Sequence, residues 1–227
     1  MVLYGILLLL GVLLLGYLVG SISNSVWISK WVFHKDIRQY GSHNAGGTNM
    51  GRVLGKKWGV LIIFLDALKA AVMIWGTYLL LTYTSLQDYC LGNEPAFYYY
   101  PVSLAVSLGH CYPLYTQFKG GKAASVFTGT VVSTSWISTI GGMIAFFTTL
   151  KAKKFVSLAS IVASFVSFLA SLLVFISALD GFSLYPALSA HYMYPITMFL
   201  QFVLLVLRHR ANIKRLKEGN ENRVTWL

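Results

Sequence analysis

Residues 1–29 carry no charged side chain, and about 20 consecutive apolar residues are already enough to cross a hydrocarbon core as a helix. The pattern predicts a membrane-spanning helix over 3–24. No basic segment precedes the apolar run, and the run exceeds the roughly 7–15 residues of a secretory leader core, so a retained helix is expected. Further apolar stretches lie at 58–84, 97–115, 123–150, 155–179 and 186–207, separated by short polar connections. The expected fold is all-α, a polytopic transmembrane helical bundle forming a single domain over 1–227.

Composition sharpens that picture. Of 227 residues, 56% are hydrophobic and 11% charged, which leaves too little polar surface to solvate a globular domain. The formal net charge of +11 does not point to nucleic acid, because the charges sit in the connections, where the positive-inside rule places them. Of the 18 Lys and Arg residues, all but Lys69 fall into four clusters, at 30–57, 119–122, 151–154 and 208–223. The connections 85–96 and 180–192 carry Asp88, Glu94 and Asp180 without Lys or Arg, so they are expected outside. Keeping every basic cluster inside requires 123–150 to cross twice, as two short helices turning near Gly141 and Gly142. The expected topology has seven crossings, the N-terminus outside and the C-terminus cytoplasmic. A single tilted helix over 123–150, with Lys151 to Lys154 outside, is the alternative. Cys90 and Cys111 show no ligand spacing, so neither a metal site nor a disulfide is expected.

Three inner connections carry more chemistry than anchoring needs. The first runs Gly41-Ser42-His43-Asn44-Ala45-Gly46-Gly47-Thr48-Asn49-Met50-Gly51-Arg52. Its glycines let backbone amides turn toward a ligand, Ser42, Asn44, Thr48 and Asn49 offer neutral hydrogen bonds, and Arg52 offers a planar fork for phosphate. An anion cradle and a flexible polar linker both fit this stretch taken alone. The second joins Gly109-His110-Cys111-Tyr112-Pro113 to Phe118-Lys119-Gly120-Gly121-Lys122 ahead of an apolar helix. Paired glycines there would expose amide donors at the positive end of a helix dipole, beside Lys122, although anchoring alone also puts Lys at inner helix ends. The third runs from Arg208 to Glu221. His209 and Asn212, three apart, share one helical face, while Arg210 and Lys214 share another, so one face can meet a ligand and the other anionic head groups. Asp66 and Lys69, deep in the second apolar stretch, need pairing, either within a site or as a structural ion pair.

Together these segments resemble one family. Gly20-Ser21-Ile22, Asp36-Ile37-Arg38 with Gly-Ser-His-Asn-Ala-Gly-Gly-Thr-Asn, Gly-His-Cys-Tyr-Pro with Phe-Lys-Gly-Gly-Lys, and Arg-His-Arg-Ala-Asn-Ile-Lys-Arg-Leu are similar in order, spacing and inner location to the bacterial acyl-phosphate:glycerol-3-phosphate acyltransferase family, PlsY. The likeness covers nearly the whole chain. It implies a seven-helix inner (plasma) membrane enzyme of phospholipid biosynthesis. Such an enzyme transfers a fatty acyl group from acyl phosphate to the 1-hydroxyl of glycerol 3-phosphate, giving lysophosphatidate and phosphate on the cytoplasmic side. The implied partners are acyl phosphate, glycerol 3-phosphate and the lipid bilayer, with no cofactor and no metal. The resemblance also implies that Ser42, Arg52, Lys122, His209 and Asn212 are catalytic, and that Asn44, Thr48, Asn49, His110, Lys119, Gly120, Gly121 and Glu221 bind substrate.

An acyl phosphate is an activated mixed anhydride, so a protein acting on it has chiefly to align hydroxyl and carbonyl and to neutralise crowded phosphates. No Gly-x-Ser-x-Gly elbow and no His-x4-Asp pair is present. The substrate's own phosphate is then one proton acceptor and His209 the other; as a non-base, His209 would be a neutral donor to a phosphate oxygen. The chain departs from the family pattern at His43, where the family usually has Gly, and at Ala123-Ala124-Ser125-Val126, where it commonly has Gly-Val-Ala-Thr. Ser23 stands where Pro is usual. A transporter of phosphorylated solutes and a non-catalytic protein binding anionic lipid are the competing functions.

Overall fold

The structure is a computed structural model describing residues 2–176, 188 and 190–224. Among these residues it holds helices and turns and no strand. The helices are α1 (Val2–Gly20), α2 (Asn24–Phe33), α3 (Gly47–Leu54), α4 (Lys56–Thr82), α5 (Ala96–Tyr99), α6 (Pro101–Cys111), α7 (Ala124–Thr134), α8 (Trp136–Lys153), α9 (Val156–Ser171), α10 (Met193–Arg208) and α11 (Arg210–Lys217). By length and apolarity, Val2–Phe33, Lys56–Thr82 and Val156–Phe175 qualify as candidate membrane spans, and the pair α10 and α11, bent by 57°, makes a fourth if taken as one span.

The packing is the reverse of a water-soluble core. On α1 the large Leu7, Leu10 and Leu14 are exposed while Gly5, Gly16 and Gly20 are buried. Lipid tails are as apolar as leucine, so helices associate through small residues that let backbones approach. A Cβ at Gly20 would collide with the Val106 backbone of α6, and one at Gly129 of α7 with the Ala67 carbonyl of α4. These contacts fix α1 on α6 and α7 on α4, and so set where the helix ends carrying the three polar segments converge.

Several boundaries differ from those the sequence pattern predicts. The first helix stops at Gly20 rather than 24, and α2 continues after a break of three residues. The helix expected over 97–115 ends at Cys111. The stretch 123–150 does divide in two, but at Ser135 and not at Gly141–Gly142. Ser135 is extended (φ −146°, ψ 120°) and its Oγ accepts the Ser138 N–H at 3.2 Å, a helix N-cap. Gly142 instead lies inside α8, where a Cβ would collide with the Ser167 Oγ of α9. A local hydroxyl cap outcompetes glycine flexibility here, and the glycine serves close packing. Asp180, most of the connection 180–192, and the start of the helix predicted from 186 lie outside the described residues.

Asp66 and Lys69 form a buried polar joint. Lys69 Nζ donates to the Gly20 carbonyl at 3.0 Å and the Ile22 carbonyl at 3.2 Å, and lies 3.2 Å from Asp66 Oδ1 and 3.0 Å from His110 Nδ1. Asn24 Nδ2 donates to Asp66 Oδ1 at 3.0 Å. The carbonyls at a helix end have no partner within the helix; here α4 supplies one, and the joint ties α1, α2, α4 and α6 together. Cys90 and Cys111 are buried free thiols.

Candidate functional site

The glycine-rich part of the first segment is short, because α3 takes over at Gly47. Asn49 organises what precedes it. Its Oδ1 accepts the Ser42 N–H at 2.8 Å, and its Nδ2 donates to the carbonyls of Ile37 (3.1 Å), Tyr40 (3.0 Å) and Asn44 (3.1 Å). That exhausts the two amide hydrogens, so Asn49 shapes the loop. Thr48 and Arg52, four apart on α3, share a face that lines a cavity of about 90 Å³. Arg38 clamps Asp36 through Nε (2.9 Å) and Nη2 (2.7 Å) and donates through Nη1 to the Thr116 carbonyl at 3.0 Å, joining the first segment to the second. The Arg38 hydrogen bonds hold the Asp36 carboxyl well below the usual carboxylate range.

In the second segment the glycines are packed closely against the preceding helix end. The Gly121 N–H donates to the His110 carbonyl at 3.0 Å, and a Cβ at Gly120 or Gly121 would collide with His110. Arg208 Nε donates to the Gly121 carbonyl at 3.2 Å, while its guanidinium lies 4.9 Å from the Tyr112 ring centre. Ala123 is left-handed (φ 59°) and turns the chain into α7. Lys122 lines the cavity; Lys119 is exposed and does not.

In the third segment His209 sits at the bend between α10 and α11. Its Nδ1 lies 2.8 Å from the Leu205 carbonyl; a carbonyl can only accept, so Nδ1 carries the hydrogen. Burial, reinforced by the positive charge of Lys122, pushes the imidazole down to about 4. At neutral pH the ring is therefore uncharged and Nε2 is bare. Of the two roles considered above, acceptor and neutral donor, Nε2 is left for the first: the Nδ1 hydrogen is bonded to the Leu205 carbonyl, so the other nitrogen can only accept.

Four side chains then form a chain across the cavity wall. Lys122 Nζ donates to Asn212 Oδ1 at 2.7 Å, Asn212 Nδ2 to Glu221 Oε1 at 2.6 Å, and Arg215 Nε to Glu221 Oε2 at 2.7 Å. Ser157 Oγ of α9 also donates to Glu221 Oε1, at 2.9 Å. Burial works to raise the Glu221 carboxyl, but the bonds from Asn212, Arg215 and Ser157 outweigh it and hold it below the usual range. Lys122 is pushed down to about 8, first by burial and then by Arg215, with Glu221 opposing.

The cavity thus brings together Ser42, Asn44, Thr48, Asn49, Arg52, His110, Lys122, His209, Asn212 and Glu221 from three segments remote in sequence. Lys119, Gly120 and Gly121 are not among its walls. Arg52 has no hydrogen-bond or ion-pair partner among the described residues, which leaves its fork free for an anion. Sequence reasoning missed Ser157, Ser160 and Arg215 and left Asp66 open between a site and a structural ion pair; all four line the cavity. A signal for two of them was present: Ser157, Ser160, Ser164, Ser167 and Ser171 recur every three or four residues, a polar stripe buried along an otherwise apolar helix. A second cavity, about 420 Å³ and largely apolar, runs between α7, α8 and α9, and shares Thr48, Ala124, Ser125, Val156 and Ser160 with the first. A free guanidinium on Arg52, a Lys122 ammonium bonded only to a neutral amide, one bare nitrogen acceptor and an adjoining apolar groove suit a phosphorylated polar ligand beside an amphiphile.

The sequence matches the family model described as glycerol-3-phosphate acyltransferase over residues 10–219. It is 36% identical over 217 residues to the glycerol-3-phosphate acyltransferases of Staphylococcus aureus strains Newman and JH9, covering 95% of this chain and 97% of theirs. Its fold is similar to crystal structures of PlsY, an integral membrane glycerol 3-phosphate acyltransferase, each matched over 95% of both chains. The glycerol 3-phosphate form gives a TM-score of 0.75 at 32% identity, and the lysophosphatidic acid form 0.71 at 31%.

Proposed function

The chain belongs to the glycerol-3-phosphate acyltransferase family, and from that premise we propose how its own residues transfer an acyl group from acyl phosphate to the 1-hydroxyl of glycerol 3-phosphate. The observation that carries the reading is the continuity of the polar cavity with the apolar groove through Thr48, Ala124, Ser125, Val156 and Ser160. An amphiphile laid across that junction keeps its tail in the groove and its acyl phosphate among Arg52, Lys122 and the hydroxyls.

Arg52 and Lys122 neutralise the phosphates of donor and acceptor, which would otherwise repel each other. His209 Nε2 accepts a hydrogen bond from the 1-hydroxyl and turns its oxygen toward the donor carbonyl. The new ester C–O bond forms as the carbonyl–phosphate C–O bond breaks, and the leaving phosphate takes the hydroxyl proton directly or from His209. Alignment and charge neutralisation supply the catalysis, and the anhydride supplies the driving force. Ser42, Asn44 and Thr48 offer short polar groups to phosphate or glycerol oxygens; Asn49 and Glu221 act by holding Ser42 and Asn212 in place.

The bundle is read as seven crossings, α1, α4, α5 with α6, α7, α8, α9 and α10, with the N-terminus outside and the site in the cytoplasm beneath the inner membrane. The basic clusters support this, as does the division of 123–150 at Ser135, which lets Lys122 and Lys151 share a side. Single-cysteine labelling in intact and opened cells tests it: positions 56 and 152 should react only after opening, position 87 before.

The activity is tested by phosphate release from palmitoyl phosphate and glycerol 3-phosphate with purified protein. Arg52→Ala and Lys122→Ala should each lose at least about a hundredfold in turnover while inserting normally; full activity in both would overturn the site. Palmitoyl-CoA offered in parallel separates the two donor classes.

A further inference from the structure

We infer that the apolar groove is a gauge of limited depth, closed by the α7–α8 corner, and that this floor sets which acyl chains the protein prefers; the inference rests on the acyl-transfer reading. From the polar cavity, α7 and α9 run away from the phosphate site while α8 returns toward it. The groove's lining ends at Val132 on α7 and Ser167 on α9, and begins at Thr139 on α8. Just beyond these residues the helices are stitched shut. Thr139 Oγ1 donates to the carbonyls of Ser135 (2.7 Å) and Val131 (3.1 Å), and Ser167 Oγ donates to the Ser138 carbonyl at 3.0 Å. A chain entering past Ser125 therefore meets tied backbone where an open channel would let it continue.

The depth follows from helix geometry. From Ala124 to Val132 is about 12 Å and from Val156 to Ser167 about 16 Å, at roughly 1.5 Å per residue. An extended alkyl chain with bonds of about 1.5 Å advances roughly 1.25 Å per carbon along its zigzag, so some ten to thirteen carbons reach the floor. Hydrophobicity cannot do the selecting, because a tail leaving the bilayer exchanges one apolar medium for another. Fit decides: carbons beyond the floor have to bend outward past Val132 and Met143, which are 46% and 49% exposed.

Ala163 lines the groove from α9 about 10 Å below Val156, and Val131 forms part of the wall at the floor. The test measures kcat/KM for decanoyl, dodecanoyl, palmitoyl and stearoyl phosphates with purified protein. Ala163→Phe should raise the decanoyl-to-palmitoyl ratio by roughly tenfold or more over wild type, and Val131→Ala should lower it by about threefold. An unchanged ratio in Ala163→Phe that still turns over decanoyl phosphate overturns the gauge. If that variant does not fold, an unchanged ratio in Val131→Ala overturns it. Wild type that acylates glycerol 3-phosphate from none of these donors would sink the acyl-phosphate reading itself, and the gauge with it.

Discussion

Glu221 orients the Asn212 carboxamide: Nδ2 of Asn212 donates to Glu221 Oε1 at 2.6 Å, which leaves Oδ1 facing the Lys122 ammonium at 2.7 Å. Without the carboxylate the amide is free to turn over and present its hydrogens to a cation. A hydrogen bond to a charged group is worth about 1.5–3 kcal/mol, so Glu221→Leu should lose roughly tenfold to a hundredfold in kcat/KM for glycerol 3-phosphate. Glu221→Gln, which can still accept from Asn212, should retain most of the activity. Steady-state kinetics on the two variants checks the orientation; equal losses would mean that Glu221 acts through its charge alone.

Lys122 gives the reaction an alkaline limit. Its ammonium is pushed down to about 8 by burial and the charge of Arg215, so the positive charge is present below that pH and lost above it. kcat/KM should fall as pH rises through about 8, since its profile follows groups of the free enzyme. Lys122→Arg, always charged, should remove that limb at some cost in rate. A limb unmoved in Lys122→Arg assigns it elsewhere.

His209 makes the acid side a question of stability. Its folded value of about 4 lies below the ordinary 6.5 of an unfolded histidine, so between those values the unfolded chain binds the extra proton. Stability should therefore be fully present above about 6.5 and decline as pH falls toward 4. Thermal unfolding in detergent at pH 7 and pH 5 should show the decline, and His209→Gln should flatten it.

Both left-handed departures from the family pattern, His43 (φ 56°) and Ala123 (φ 59°), put a Cβ where glycine is favoured, at about 1–2 kcal/mol each. His43→Gly loses only an exposed bond from Nδ1 to the Arg38 carbonyl at 3.1 Å, so it should raise the unfolding temperature clearly. Ala123→Gly also gives up a buried methyl worth about 0.8 kcal/mol, so its gain should be smaller. A lower unfolding temperature in His43→Gly would show the ring to be structural.

The buried joint makes a fifth case. Lys69→Met leaves the Asp66 carboxylate without its cation at 2% side-chain exposure, a loss of about 3–5 kcal/mol. The double variant Asp66→Asn with Lys69→Met should recover much of the folded, monodisperse yield by size exclusion. Failure to recover would place the weight of the joint on the Gly20 and Ile22 carbonyls.

The sequence by itself determined the membrane class, the helices and the identity of most groups around the cavity, because charge, apolar run length and motif order are local properties written along the chain. Arg52, Lys122, His209 and Asn212 were legible in this way. Only the tertiary structure decided what each polar atom is free to do. Asn49 reads as a ligand contact until its amide is found spent on three carbonyls; Gly120 and Gly121 read as amide donors until Arg208 and His110 are packed against them; His209 reads equally as base or donor until its Nδ1 hydrogen is found bonded to the Leu205 carbonyl. Hydrogen bonds are allotted by neighbours that lie 4 to 90 positions away in the chain, and no local pattern records which of them arrives first. The break at Ser135 is the local exception: its hydroxyl caps α8 through the Ser138 N–H, and Gly142 is left to pack on Ser167.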